Sequence, residues 1–489
     1  MKILIKEGLI LRLENGEQKL EKKDILIKDS KIEKIINYKE TKSGFDKIIN
    51  ANDCMIIPGL INCHNHSYAN LLKGIVENRP LELWVLDTIY GESNRNLREV
   101  YISTLLGCIQ MIKTGTTTVL DHFTANDERL RMALKAYEDV GMRSAIAIKI
   151  ADRHYYQTLA MGSKIYPSKL RREINFHPLP TVQELIDMCK NIIRDYNGKK
   201  DRLSIIIGPS GPQRCSRQLL EKAIELAEVE KLALHTHLLE TKTQAVTAYE
   251  QYGKSMVSFL NEIGFLTERT SLAHCVWVSD KDIDILAHSK TSVVHNPISN
   301  LMLGSGIAPI FKILSSGINI GLGTDGANCG GNQILFEAMR FAAILHNMKH
   351  FDSRNWITDK QVFKMATSNG AKIFLKEDEV GEIKEGYKAD LVLLDLNTPN
   401  LSPLNNPINL LVYSENGSSV RDVIINGQVI LENKKILTIN ENEVLGEAKE
   451  FRKKIKNEEM VKFYECQKPY VEKIYKRATN KNIGFSRMI

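Results

Sequence analysis

A chain of 489 residues is longer than one ordinary domain, and 43% apolar with 26% charged residues is the balance of a folded protein, which excludes a disordered or fibrous chain. A net charge of +7 spread over that length, with lysines interleaved among glutamates, excludes nucleic acid and an anionic membrane surface as expected partners. Eight cysteines with neither a Cys-x-x-Cys pair nor dense spacing exclude a disulfide framework and read as buried thiols.

Met1 to Glu7 lacks the apolar core of a signal peptide and no later stretch has the length of a membrane span, so a cytoplasmic protein is expected. Residues 1–57 alternate short β-type runs with turn signals: Ile3–Ile5, Leu9–Leu13 before Glu14-Asn15-Gly16, and Ile25–Ile27 and Ile32–Ile36 on either side of Asp29-Ser30. Residues 381–440 have the same character, in Ala389–Leu394 and in Val420–Ile425, where Asn426-Gly427 turns the chain into Val429–Leu431. Two such ends predict one small, discontinuous β domain.

Between them, residues 58–380 alternate short apolar strands with amphipathic helices, the pattern of a parallel α/β fold. Strands are predicted to end near His66, Asp121, Lys149, Pro209, His237, His274, His295 and Asp325. Eight of them fit a (β/α)8 TIM-type barrel, whose active-site groups stand at the C-terminal ends of the strands. The segment 153–180, with His154, Tyr155 and Tyr156, is too long and irregular for a tight βα connection and reads as a lid or specificity loop. Residues 441–489 read as a charged helical extension with an intermittent apolar stripe of Phe451, Ile455, Val461, Phe463, Val471, Ile474 and Tyr475, broken by Pro469, that packs on the barrel or on a neighbouring subunit.

The chemistry gathers at the strand ends. Pro58 to His66 reads as a buried strand closing on two histidines; residues two apart share a face, so His64 and His66 present both imidazoles to one side. Taken alone that pair is an ordinary feature, and a metal site needs further ligands. They follow in His235-Thr236-His237-Leu238-Leu239-Glu240, Ala273-His274-Cys275, His295-Asn296-Pro297 and Gly323-Thr324-Asp325-Gly326, each closing an apolar run. On one barrel rim, three imidazole nitrogens and one carboxylate oxygen suit a divalent ion and leave a position for water.

In these motifs, extended by Ile298-Ser299-Asn300 after Pro297 and by Ala327 after Gly326, the chain resembles the amidohydrolase superfamily. The likeness is to the branch with methylthioadenosine or S-adenosylhomocysteine deaminases and triazine chlorohydrolases, over about residues 1–435. The resemblance implies a metal-containing barrel flanked by a β-sandwich built from both termini. It implies His64, His66, His237 and Asp325 as ligands of one divalent ion, Zn2+ or Fe2+, with Glu240, His274 and Asp325 as the acid, base and water-orienting groups. A mononuclear site is expected because no bridging lysine is evident at the fourth strand. The implied reaction is hydrolytic deamination of a small, amino-substituted nitrogen heterocycle, by a homo-oligomer of two or more subunits.

Trp84, Glu92, Ser210, Gln213 and His295 are candidates for the substrate pocket, although Trp84 serves equally as core and His295 as a loop or second-shell support. His235 reads as strand packing, since the family uses the second histidine of that pair, and His122 reads as structural. One departure bears on substrate. The adenosine-type deaminases commonly end the fourth strand in Pro-His-Ala-Pro-Tyr, whereas here it reads Pro209-Ser210-Gly211-Pro212-Gln213, followed by Arg214. That points toward other heterocycles and leaves methylthioadenosine or S-adenosylhomocysteine deamination, or triazine hydrolysis, as alternatives. A non-catalytic scaffold relative is the reading from another class; such proteins lose ligands, and here all of them stand. Hydrolysis of a cyclic amide is disfavoured, because it usually takes two metals bridged by a lysine carbamate.

Overall fold

The computed structural model describes residues 1–14, 16–37, 44–75, 78–93, 95–349, 351–451 and 458–488. Eight parallel strands follow one another in chain order around one sheet. They are β1 (Leu60–Asn65), β2 (Thr116–Thr124), β3 (Arg143–Ile150), β4 (Leu203–Pro209), β5 (Leu234–Leu238), β6 (Thr270–His274), β7 (Ser292–His295) and β8 (Ile320–Leu322). Runs such as Ser204-Ile205-Ile206-Ile207 on β4 and Thr117-Thr118-Val119-Leu120 on β2 are β-branched and apolar because strands covered on both faces must be.

The ring closes between β1 and the segment after β8. The Asp325 N–H donates to the His64 carbonyl at 2.9 Å, the Thr324 N–H donates to Asn62 Oδ1 at 3.1 Å, and Asn62 Nδ2 donates to Thr324 Oγ1 at 2.7 Å. This seam brings two of the expected ligands, far apart in sequence, onto adjacent backbone.

Both termini build a second, nine-stranded mixed sheet. Its junction is the antiparallel pairing of Cys54–Pro58 with Leu391–Asp395, in register at Ile56 and Leu393. The runs Ile3–Ile5 and Leu9–Leu13 prove to be one strand, Lys2–Glu14, with a bulge between Ile5 and Gly8 where Glu7 takes φ 60°. Asn426 and Gly427 take φ 52° and 73°, the paired positive values of the expected tight hairpin, whereas Asn15 of the first turn lies outside the described residues. Ile27 from one arm of the sheet and Val429 from the other share one buried cluster with Ile3, Ile56 and Leu393, so the sandwich is a single sheet curled over itself.

The segment 153–180 is more regular than expected. It holds a 3-10 turn at Tyr155–Thr158 and helices at Gly162–Ile165 and Ser168–Asn175. Tyr156, Leu159, Tyr166, Leu170 and Ile174 pack with Leu83 and Leu86 of the helix Leu81–Ser93 and with Val471 and Ile474 of the C-terminal helix Lys468–Thr479. Of the apolar stripe expected after residue 441, Ile455 and the side chain of Val461 lie outside the described residues. The extension begins along the helix Leu97–Lys113, where Lys113 pairs with Glu441 at 2.8 Å and Arg98 with Glu443 and Glu447.

Candidate metal centre and substrate cavity

β1 delivers His64 and the residue just past its end is His66, the end of β5 delivers His237, and the turn after β8 delivers Asp325. All four are buried or nearly so. His66 Nε2 lies 3.2 Å from His237 Nε2, and Asp325 Oδ1 lies 3.4 Å from His66 Nε2 and 3.7 Å from His64 Nε2. The ligating atoms of His64, His66 and His237 all lie within 4.8 Å of one another, as do those of His64, His274 and Asp325.

The hydrogen bonds behind these rings show that the set fits a cation. His66 Nδ1 is 2.7 Å from the carbonyl of His122, and His237 Nδ1 meets the carbonyl of Ser210. A carbonyl only accepts, so both Nδ1 atoms carry the proton and both Nε2 atoms are bare. Two buried lone pairs facing each other at 3.2 Å repel unless a positive charge stands between them. His64 Nε2, buried in the same place, has no hydrogen-bond partner. Burial, then the neighbouring imidazoles, push His64 and His237 far below the ordinary histidine range, and burial takes His66 down to about 4; all three rings are neutral at physiological pH, the form in which an imidazole can ligate a metal.

Glu240 and His274 flank this centre. His274 Nε2 is 3.6 Å from Glu240 Oε2 and 3.9 Å from Asp325 Oδ2, and His274 Nδ1 is fixed by Asn300 Oδ1 at 2.9 Å. Burial, followed by the charges of Asp325 and Glu82, holds the Glu240 carboxyl well above the usual carboxylate range, and its Oε1 is buried without a partner. That direction favours the protonated form, the form a proton donor needs. Leu239, His274, Cys275 and Asp325 take φ of 48°, 76°, 49° and 61°, a left-handed cluster of non-glycine residues that turns these strand ends inward.

The centre opens on a cavity of about 380 Å³ whose wall includes His66, His237, Glu240, His274 and Asp325. Trp84, Glu92, Ser210 and Gln213 line it as the sequence suggested. Trp84 is at once wall and core, its Nε1–H donating to the Asn328 carbonyl at 3.2 Å, while Glu92 is paired with Arg95 at 2.7 Å. His295 is not among the described residues of the wall; it is buried with Nε2 3.3 Å from His346 Nε2. His122 donates or accepts nothing inside the cavity: its Nε2–H binds the Gly208 carbonyl at 2.9 Å and its ring stacks 4.7 Å from that of His237.

Several wall residues were not expected from the sequence, Lys149 and Glu82 among them. Lys149, at the end of β3, donates to the Tyr68 hydroxyl at 2.9 Å, and burial together with Arg214 pushes it down to about 8. Glu82 accepts from Thr241 Oγ1 at 2.6 Å, its other oxygen is buried without a partner, and burial raises its carboxyl. Each carried a legible signal, a charge inside an apolar run: Ile148-Lys149-Ile150 and Leu81-Glu82-Leu83-Trp84.

Residues 55–430 match the Amidohydrolase family. Among curated proteins, the chain is 34% identical over 448 residues to the 5'-deoxyadenosine deaminase of Methanosarcina barkeri, covering 91% of this chain and 96% of that one. It is 36% identical over 432 residues to the 5-methylthioadenosine/S-adenosylhomocysteine deaminase of Thermococcus sibiricus, covering 88% and 94%. Among solved structures, an adenosine deaminase from Xanthomonas campestris with bound zinc superposes with a TM-score of 0.82 at 23% identity, over 93% of this chain and 98% of that one. The zinc complex of an atrazine chlorohydrolase from Arthrobacter aurescens gives 0.82 at 23% identity, over 92% and 99%.

Proposed function

The chain belongs to the amidohydrolase family, and we propose that it deaminates a 6-aminopurine nucleoside altered at its 5' position, with His64, His66, His237 and Asp325 holding one zinc ion. Metal-dependent hydrolysis of a C–N bond in a heterocycle is the family-level activity; the adenosine-derived substrate class is supported by the names of relatives at 34% and 36% identity over most of both chains. Ser210, which replaces the histidine expected of adenosine-type pockets, weighs less than that likeness. The reading rests on the pair of bare Nε2 atoms 3.2 Å apart, with Glu240, whose carboxyl burial holds well above the usual range, beside them at the head of one cavity.

A divalent ion held by His64, His66, His237 and Asp325 would lower the pKa of water from about 16 toward about 7 and so supply hydroxide at neutral pH. The chain supplies the proton traffic. Asp325, whose Oδ1 also accepts the Gly326 N–H at 2.7 Å, is placed to take the proton that water gives up. Glu240 donates its proton to the ring nitrogen next to the reacting carbon, which makes that carbon electrophilic. A C–O bond forms, the amino group takes up the proton held by Asp325, the new hydroxyl returns its proton to Glu240, and the C–N bond breaks with release of ammonia, leaving a ring carbonyl. His274, locked by Asn300, steadies the developing charge between Glu240 and Asp325.

The test is ammonia release from zinc-loaded protein with 5'-deoxyadenosine, methylthioadenosine, S-adenosylhomocysteine and a panel of aminated pterins, pyrimidines and triazines. Preference for the adenosine derivatives is expected, followed by the ultraviolet change of adenine becoming hypoxanthine. Ammonia from a pterin or triazine alone would overturn the substrate class, and none from any compound would overturn the reaction.

A further inference from the structure

The three histidines that face the metal centre do not owe their orientation to the same kind of group. His66 and His237 set Nδ1 against backbone carbonyls, which no side-chain substitution removes. His64 alone sets Nδ1 against a side chain, with His235 Nε2 2.9 Å away. An imidazole nitrogen donates or accepts according to tautomer, so this contact by itself leaves the state of His64 undetermined.

The state of His64 is coupled to a group one residue further back. His235 Nδ1 lies 2.7 Å from Ser271 Oγ, and the Ser271 hydroxyl lies 3.4 Å from the Leu234 carbonyl. With the hydroxyl proton on the Leu234 carbonyl, which only accepts, the hydroxyl oxygen receives the His235 Nδ1–H. His235 Nε2 is then bare and receives the His64 Nδ1–H. His64 Nε2 is left as a lone pair aimed at the centre. In the opposite arrangement each proton shifts by one position along the chain, the Leu234 carbonyl loses its hydroxyl, and His64 Nε2 carries a hydrogen where a cation would bind. All the rings stay neutral in both arrangements; what changes is the place of the proton. His64, His235 and Ser271 are at most 2% exposed, so water does not compete for these bonds.

We propose that His235 and Ser271 are positioning residues that hold His64 in its metal-binding tautomer and thereby set the affinity of the site for a divalent cation. His235 therefore does more than pack in its strand. The inference rests on the metal-site reading above.

The test strips the full-length protein of metal and titrates Zn2+ back against a chromophoric chelator, in the wild type and in His235→Leu, His235→Gln and Ser271→Ala, with the visible spectrum of the Co2+-loaded proteins as a second readout. Loss of a hydrogen-bond partner behind a ligating histidine typically weakens metal binding by about 10–100-fold. That loss is expected for His235→Leu, with about 10-fold for Ser271→Ala, and altered Co2+ bands in both. His235→Gln, whose amide oxygen can accept the His64 Nδ1–H, is expected to recover most of the affinity and the wild-type bands. Wild-type affinity in His235→Leu and Ser271→Ala would overturn the proposal, as would equal losses in all three variants tracking a fall in melting temperature. A wild-type protein that takes up no divalent ion would overturn the metal-site reading along with it.

Discussion

At the scale of single residues, the site is a sorting of protons by environment. Burial, followed by the charges of Asp325 and Glu82, moves the Glu240 carboxyl well above the usual carboxylate range, the direction a proton donor to the substrate requires. Glu240→Gln keeps the shape and removes the transferable proton, so kcat/KM is expected to fall by about 10³-fold with zinc content unchanged. Asp325→Asn is expected to lose activity and metal together, read by ammonia release and by metal analysis of the same preparations, with circular dichroism unaltered. Lys149 makes a separate prediction. Its folded value of about 8 lies below the ordinary 10.5, so the cost of burying its charge is fully present below about pH 8 and is relieved as pH rises toward 10.5. The stability of Lys149→Met relative to wild type, measured by urea denaturation, is therefore expected to be greatest near neutral pH and to shrink steadily above about pH 8.

At the scale of elements, what matters is how closely β1, β7 and β8 approach one another. Gly323 follows β8 at the seam, where a Cβ would stand 2.2 Å from Asn296 Oδ1 and 2.7 Å from His64 Cβ. Gly323→Ala is expected to push His64 out of line, to weaken zinc binding by at least about tenfold and to lower the melting temperature; chelator competition and calorimetry read the two effects. The left-handed conformations of His274 and Asp325, each costing on the order of 1–3 kcal/mol, persist because the seam bonds and the packed strand ends over-determine them. Neither conformation is written in the local sequence: nothing about Ala273-His274-Cys275 calls for positive φ, and only the neighbours impose it.

At the scale of the whole molecule, the barrel and the sheet made by both termini share a buried apolar cluster, in which Leu11, Met55, Val392 and Val423 join Val119 and Ile146, and a buried ion pair crosses the same boundary. Arg143 on β3 donates to Asp390 at 2.6 and 3.0 Å, and Asp390 also receives the N–H of Asn426 at 2.6 Å. Removing one partner of such a pair leaves a buried charge uncompensated, so Asp390→Ala is expected to cost about 3–5 kcal/mol in chemical denaturation while the Zn2+ affinity of the folded protein stays as it was. The C-terminal extension plays the matching part at the rim. Val471 and Ile474 pack against Leu83, Leu86 and the insertion 153–180, and Lys242 donates to the Thr479 carbonyl, so the last helix supports the elements that wall the cavity without lining it.

The sequence by itself determined the barrel, the terminal β segments and the identity of the histidines and carboxylates at the strand ends, because hydrophobic periodicity and strand-end residues are local properties of the chain. It also contained, unread, the charges of Lys149 and Glu82 inside apolar runs. Only the tertiary structure decided that the terminal strands join into one curled sheet, that His295 turns toward His346 and leaves the cavity wall to others, and that His235 and Ser271 stand behind His64. Those facts depend on which strands become neighbours and on where buried protons find acceptors, and both are settled by packing between residues that are distant in sequence.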